Sequence, residues 1–220
     1  KEGIDIYAVN IPCGRIPKKI LNIISQIALK VLYSKIVKEC GEPDIIHTHF
    51  IKNGYIVAQA FNNSNIPLVL TEHYSEINKE NIKGYYRTIG KITYPQMDKV
   101  IAVSNYLANN IRSNFGVDVT VIPNVVDFSI FNNICKSDEI LISNKDFTFL
   151  SVGRLHKDKR MDLLIKAFYT AFSLNKDVKL IIYGEGHERE NLLKLIDDLD
   201  LTKQVYLKGQ VDRRVIAEKM

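Results

Sequence analysis

Short apolar runs alternate along this chain with longer stretches in which apolar residues recur at helical spacing. The apolar runs predict strands and the helically spaced stretches predict helices. The predicted strands are residues 4–9, 45–50, 68–71, 99–103, 119–122, 147–152, 178–183 and 205–207. The predicted helices are residues 15–38, 54–61, 105–114, 161–174 and 187–198, with a further helical pattern at the end. Strands that alternate with helices in this way are typical of βαβ units with parallel sheets.

This alternation is interrupted once, at residues 127–146, which show no firm periodicity. We therefore predict an α/β protein with two Rossmann-like domains, residues 1–130 and 147–220, joined by a linker at 131–146. In open parallel sheets a ligand binds outside the carboxyl ends of the strands. We expect the site in a cleft that the two domains face.

Composition allows an ordinary soluble core, with 46% hydrophobic and 25% charged residues. The net charge of +5 is spread evenly rather than gathered on one element, which argues against a nucleic acid partner. The three cysteines form no C-x-x-C pair, so the sequence predicts a reducing compartment, no disulfide framework and no zinc site. No run of 18–20 purely apolar residues is present, and we expect no membrane-spanning segment.

The stretch from Phe147 to Phe172 has the parts of a phosphate site. An apolar run turns at Gly153, and a cationic loop that contains Arg154 and Lys159 leads into a helical pattern. A helix start offers free N–H groups and a positive dipole end, while an arginine fork and a lysine supply full charges. We interpret this stretch as the binding site of a phosphorylated ligand. The alternative is a loop of solvated surface cations.

The chain resembles the retaining nucleotide-sugar glycosyltransferases of family 4, which have the GT-B fold. The resemblance covers nearly the whole chain in consistent order. The matching segments are PDIIHTH (43–49), PLVLTEH (67–73), DKVIAVS (98–104), VIPNVVD (121–127), VGRLHKDKRMDLLIKAF (152–168), LIIYGEGHERENLLKLIDDLDL (180–201) and VYLKGQV (205–211). This resemblance implies that the first domain binds a glycan or lipid-linked acceptor and that the second binds the sugar nucleotide.

Donor-binding residues follow from this resemblance. Arg154 and Lys159, with the turn at Gly153, would bind the diphosphate and stabilise it as it leaves the sugar. Gln210 and Val211 would lie near the nucleotide base. No metal or other cofactor is implied, because side-chain cations would neutralise the diphosphate.

The resemblance implies three further sites in the first domain. His73 would be the catalytic residue, facing the donor sugar, although a lone histidine is more often a packing residue. His49 would lie on the acceptor side, and Asn124 would lie near the interdomain hinge. His47 and His49 share one face of a strand, but no third ligand accompanies them, so we predict no metal site.

Four departures from the family pattern are informative. Val125 takes a place where glycine is usual, and because a β-branched residue avoids positive φ, we expect this turn to differ or to be strained. Arg160 also replaces a usual glycine. A glycine-rich loop and a pair of donor-binding glutamates fall outside residues 1–220. We therefore expect both domains to be incomplete and the chain alone to have little transferase activity.

A predicted basic helix suggests a further partner. Six lysines and arginines and no acidic residue lie between Ile6 and Lys38. Such a helix suits an anionic membrane surface, which would place the protein in the cytoplasm at the inner face of the membrane; the alternative is an ordinary surface helix.

Two other functions stay open. They are a GT-B-fold sugar-nucleotide epimerase, with Glu72 as an acid/base candidate, and a non-catalytic nucleotide-binding scaffold.

Overall fold

The computed structural model describes residues 3–11, 14, 16–131 and 147–220. The chain divides into two compact units, Lys1–Val125 and Val126–Met220, and each has its own sheet and hydrophobic core. Nearly all of the predicted linker lies outside the described residues. The two units are described separately below.

Unit 1 is a four-stranded parallel sheet with the strand order β1-β2-β3-β4. Its strands are β1 (Ile46–His49), β2 (Leu68–Glu72), β3 (Lys99–Ala102) and β4 (Thr120–Val121). Its helices are α1 (Lys18–Cys40), α2 (Ile51–Ala60), α3 (Gly84–Thr93) and α4 (Asn105–Phe115), with a 3₁₀ helix at Tyr94–Gln96. Because all four strands run parallel, their carboxyl ends lie at the same edge.

Local sequence explains how the helices of unit 1 begin and pack. The Ser104 hydroxyl caps α4 by accepting the Leu107 N–H at 3.2 Å, as the sequence predicts. The helix ends at Gly116, which takes the left-handed conformation. Helix α2 approaches the sheet closely at Gly54, where a Cβ would lie 3.2 Å from Leu70.

The amino-terminal part of unit 1 departs from expectation in two ways. Residues 4–9 form no strand, because the sheet pairs β1 only with β2 at this side. Helix α1 contains an 18-residue window of mean hydropathy 1.5, and none of that window is buried. By length and composition α1 could therefore cross a membrane, a property that the sequence analysis did not predict. Core helices of soluble proteins and signal sequences meet the same criterion of length and hydropathy. The criterion alone therefore does not identify α1 as a membrane span.

Unit 2 is a three-stranded parallel sheet with the strand order β5-β6-β7. Its strands are β5 (Phe147–Val152), β6 (Val178–Tyr183) and β7 (Val205–Gly209). Its helices are α5 (Met161–Phe172), α6 (Arg189–Asp198) and α7 (Arg213–Lys219), with a 3₁₀ helix at Lys157–Lys159. Leu155, Ile165 and Leu201 are fully buried in its core. The predicted α/β class with parallel sheets in two groups is confirmed.

Candidate functional site

Three histidines meet at the carboxyl ends of β1 and β2, and we name His47, His49 and His73 the histidine cluster. The register pairs His49 with Thr71, so the chain reaches His73 two residues further on. His49 Nδ1 and His73 Nε2 lie 3.0 Å apart, and His47 Nε2 lies 2.7 Å from Thr71 Oγ1. The rings of His47 and His49 are 4.6 Å apart between centroids, and those of His49 and His73 are 5.3 Å apart. The predicted catalytic and acceptor-side histidines are therefore direct neighbours.

A buried carboxylate, Glu72, holds the backbone beneath this cluster. Its Oε1 accepts the N–H groups of His73 at 3.0 Å and Tyr74 at 2.9 Å. Its Oε2 accepts the Ile51 N–H at 2.9 Å and the Tyr94 hydroxyl at 3.2 Å. Glu72 is fully buried, and this burial raises its pKa although the four hydrogen bonds oppose the rise. The sequence offered Glu72 as an acid/base group, but its oxygens are occupied and shielded from solvent, so that interpretation is wrong.

The pKa values of two histidines of the cluster, His47 and His73, lie below the ordinary value of 6.5. Burial lowers the pKa of His47 first, and the charges of His49 and His73 lower it further. Burial also lowers the pKa of His73, with a further decrease from His49, while a hydrogen bond with Asn124 raises it. A neutral imidazole offers one donor and one acceptor, which suits recognition of a sugar hydroxyl. Asn124, predicted near a hinge, thus also contacts the predicted catalytic residue.

Phe50 connects the cluster to helix α2 through an unusual backbone. Its φ is 68°, a value that bulky residues rarely adopt, and its N–H donates to the Thr71 carbonyl at 3.0 Å. Its ring centroid lies 5.4 Å from that of His73. Strained backbone of this kind is concentrated at functional sites. Nothing in the sequence signals this feature. In the described parts of the chain, no group of three or more His, Cys, Asp or Glu side chains is arranged so that it could hold a metal ion.

Unit 2 has a cavity of about 380 Å³ beyond the carboxyl ends of its three strands. We name it the three-loop pocket. Its lining residues are Val152, Gly153, Arg154, Tyr183, Gly184, Glu185, Gln210, Val211 and Ile216. Four residues predicted from the sequence to bind the donor therefore line one cavity: Gly153, Arg154, Gln210 and Val211. The volume lies within the range of small-molecule sites.

Backbone hydrogen bonds join the loops of this pocket. The Gly153 N–H donates to the Tyr183 carbonyl at 3.0 Å, and the Gly184 N–H donates to the Gly209 carbonyl at 2.8 Å. A Cβ on Gly184 would lie 1.9 Å from the Gly153 carbonyl oxygen. Glycine is thus required here for close backbone approach.

The loop between β5 and α5 places two other predicted cations outside this pocket. Lys159 is not among the lining residues, and its ammonium lies 3.7 Å from Asp158. Arg160 adopts the left-handed conformation (φ 51°) at the start of α5, which explains why glycine suits this position. It pairs with Asp162 at 3.3 Å and lines a separate cavity of about 330 Å³.

The turn that carries Val125 differs from the glycine version, as the sequence predicts. Val125 is not among the residues with positive φ and is 94% exposed. The β-branched side chain therefore avoids backbone strain by a different path of the chain.

A glycine-bearing pocket at the strand ends of a parallel sheet, with an arginine in it, is the kind of site at which open α/β proteins bind ligands. Residues 2–129 match the family model Glycosyltransferase Family 4, and residues 135–219 match Glycosyl transferases group 1. The first match covers more than half of the chain, which belongs to glycosyltransferase family 4.

Several curated relatives are transferases of lipid-linked acceptors by name. An N-acetylgalactosamine-N,N'-diacetylbacillosaminyl-diphospho-undecaprenol 4-alpha-N-acetylgalactosaminyltransferase of Campylobacter jejuni is 34% identical over 54% of this chain and 32% of its own length. The Phosphatidylinositol N-acetylglucosaminyltransferase GPI3 subunit of Saccharomyces cerevisiae is 27% identical over 79% and 40%. An uncharacterised glycosyltransferase of Methanocaldococcus jannaschii is 35% identical over 70% and 42%. The chain spans about half or less of these relatives.

Solved structures with the GT-B fold resemble the chain. Sucrose-phosphate synthase from Thermosynechococcus elongatus superimposes with a TM-score of 0.69 at 19% identity, over 94% of this chain and 54% of the other. Anabaena HepE, solved in complex with UDP, gives a TM-score of 0.65 at 22% identity, over 86% and 55%. These likenesses confirm the predicted GT-B fold class.

Proposed function

We propose that the protein transfers a sugar from a nucleotide-diphosphate sugar to a glycan or lipid-linked acceptor, with retention, in cell-surface polysaccharide synthesis. The observation that carries this proposal is the three-loop pocket, in which Gly153, Arg154, Gln210 and Val211 lie together. Family membership supports the transferase over the epimerase and the scaffold.

The donor binds in unit 2 through charge and backbone. Arg154 grips the diphosphate bidentately and stabilises its growing charge as the sugar bond breaks. Lys159 adds a second cation after its ammonium leaves Asp158, an exposed pairing that contributes little. Gln210 and Val211 face the base. This arrangement needs no metal, because the cations of the chain neutralise the leaving group.

The sugar and acceptor are handled in unit 1. Neutral His73 hydrogen-bonds a hydroxyl of the donor sugar, and His49 lies toward the acceptor. Their 3.0 Å contact couples the two roles. Asn124 also hydrogen-bonds His73.

A lipid-linked acceptor is supported by the names of two relatives, which include undecaprenol and phosphatidylinositol. Helix α1 supports contact with a membrane surface at the cytoplasmic face. One side of it packs against the core of unit 1 through Leu29 and Tyr33. The other side exposes an apolar stripe, and lysines flank it. The stripe consists of Ile20 (50% exposed), Ile23 (56%), Ile27 (59%) and Val31 (65%).

Titration with UDP tests the donor site. We expect Arg154→Ala to weaken UDP binding at least about tenfold at low salt, because a charge-assisted bidentate contact is lost. Lys157→Ala is the matched control, since it removes a cation from the same loop but outside the pocket. Equal affinity of both variants and the unaltered chain would contradict the proposal.

Vesicle sedimentation tests the membrane contact. We expect the unaltered chain to sediment with anionic phospholipid vesicles, and Ile23→Asp/Ile27→Asp to remain in solution, because charges replace the exposed stripe. The variant Lys19→Glu/Lys30→Glu should bind less and lose its salt dependence. The same charge reversal on unit 2, Lys194→Glu/Lys203→Glu, should leave sedimentation unchanged. Sedimentation that none of these variants alters would exclude α1 as the contact.

A further inference from the structure

Glu185 places a negative charge in a pocket that otherwise suits an anion. It follows β6 by two residues and lines the three-loop pocket together with Arg154. Its side chain is 48% exposed, so the carboxylate is accessible to a ligand. A carboxylate repels a diphosphate, so binding of the phosphates does not explain its presence.

The carboxylate has a fixed position in the pocket. The Glu185 carbonyl accepts the Leu155 N–H at 2.9 Å, which joins its loop to the loop after β5. Its Oε1 accepts an Arg189 N–H at 3.3 Å and lies 3.0 Å from the position that a Cβ on Gly209 would take. Glu185 is therefore held against the loop that leads to Gln210.

The ion pair with Arg189 does not explain why an acidic residue lies in this pocket. It joins positions i and i+4 with side chains that are 34% and 48% exposed, and such pairs contribute little to stability. It does orient the carboxylate by engaging Oε1. Among the residues that the structure describes, Oε2 has no hydrogen-bond partner and remains available.

An ionised carboxylate only accepts hydrogen bonds, so its ligand must present donors. A nucleoside diphosphate has adjacent donors at two places, the ribose 2′,3′-diol and the N1–H and N2–H₂ edge of guanine. In dinucleotide-binding sheets, an acidic residue about 20 residues beyond the glycine turn accepts a hydrogen bond from the ribose 2′-hydroxyl. Glu185 follows the second strand of such a unit here.

We propose that Glu185 is a specificity-determining residue that accepts hydrogen bonds from an adjacent donor pair on the nucleoside of the sugar nucleotide. This inference rests on the proposed function, because it requires that a nucleotide occupies the three-loop pocket. Arg154 then binds the phosphates while Glu185 selects the nucleoside.

Calorimetric titration of the chain with UDP, 2′-deoxy-UDP, GDP and inorganic pyrophosphate tests this division. We expect Glu185→Gln to bind UDP or GDP about tenfold more weakly and to bind pyrophosphate no more weakly than the unaltered chain. If the ribose supplies the donor pair to Glu185, 2′-deoxy-UDP binds the unaltered chain as weakly as UDP binds the variant. If guanine is the source, the loss is confined to GDP. Glu190→Gln, an exposed carboxylate nearby that lines no part of the pocket, is the matched control.

The variant should unfold at the same urea concentration as the unaltered chain, because the glutamine oxygen still accepts from Arg189. Unchanged affinity for all four probes would overturn the inference, as would an equal loss for pyrophosphate and nucleotides. Failure of the unaltered chain to bind any nucleoside diphosphate would instead overturn the proposed function, so the two failures are distinguishable.

Discussion

The histidine cluster of unit 1 and the three-loop pocket of unit 2 are built in different ways. In unit 1 a buried side chain, Glu72, organises the backbone, and side-chain contacts position His49 and His73. In unit 2 the loops are joined by backbone hydrogen bonds, and glycines allow their close approach. The first site therefore depends on side-chain chemistry and the second on the space that missing side chains leave.

This difference teaches which changes each site tolerates. A conservative polar substitution removes an acceptor from the buried network of unit 1, whereas the hydrogen bonds that join the loops of unit 2 run between backbone groups. A single added methyl group is damaging in unit 2, because at Gly184 it collides with the backbone of the neighbouring loop. The unit 1 site also contains three groups whose pKa values are shifted, namely His47, His73 and Glu72.

The largest expected effect comes from Gly184→Ala in unit 2. The added Cβ would lie 1.9 Å from the Gly153 carbonyl oxygen, on a backbone whose φ of 146° disfavours side chains. Because backbone must move, we expect a loss of about 3 kcal/mol in the free energy of unfolding, from overpacking together with strain. Urea unfolding measures this loss, and UDP titration should show loss of binding.

Gly153→Ala provides the contrast, because its Cβ would meet only the terminal methyl of Met161, at 3.0 Å. This flexible group can move, so the loss should be much smaller. If both alanine variants are equally stable, close backbone approach is not what maintains the pocket, and the comparison between the two sites fails.

A smaller loss is expected from Glu72→Gln in unit 1. The amide nitrogen replaces one oxygen, so one pair of the four donors loses its acceptor, while the cost of burying a charge is relieved. We expect a net loss of about 1–2 kcal/mol in urea unfolding. Glu76→Gln is the control, because Glu76 is half exposed and forms an exposed pair with Lys79. A Glu72→Gln variant as stable as this control would contradict the organising role of Glu72.

The histidine cluster should make stability depend on pH. The pKa values of His47 and His73 are lowered from 6.5 in the folded chain, so the unfolded chain binds more protons between 6.5 and the folded values. The contribution of these histidines to the free energy of unfolding is therefore complete above pH 6.5, and it decreases as the pH falls through the folded pKa values. The raised pKa of Glu72 acts in the opposite sense above 4.5.

Comparison of His73→Gln with the unaltered chain separates these contributions, because Glu72 is common to both. Urea unfolding at a series of pH values should show a shallower decrease below 6.5 for the variant. Parallel curves would show that His73 is not held neutral by its surroundings.

Much of the fold was predictable because its signals are local. The bounds of β5 and β6 agree with the apolar runs, and Ser104 caps α4 as its position indicates. The run at residues 4–9 misled the prediction, because a strand needs a partner and no described strand pairs with these residues. A local apolar pattern can indicate a strand, but it does not indicate which strand would pair with it.

The site was predictable only in part for the same reason. Arg154 and Gln210 are named by local motifs, and the fold brings both to one pocket. The burial of Glu72 depends on donors from Ile51 and Tyr94, which are distant in sequence. The strained φ of Phe50 likewise depends on tertiary contacts, which no local pattern reports.

The smallest expected effect, Arg160→Gly, sharpens the comparison within unit 2. Arg160 has a left-handed backbone, which costs a non-glycine residue about 1–2 kcal/mol, while glycine loses more entropy on folding. Its exposed pair with Asp162 contributes little, so we expect a gain of about 0.5 kcal/mol in urea unfolding. Arg160→Ala removes the same pair but keeps the strain, and it should not be stabilising. A gain shared by both variants would mean that the arginine charge, rather than the backbone, is unfavourable there, and glycine would then be favoured at this position for electrostatic reasons.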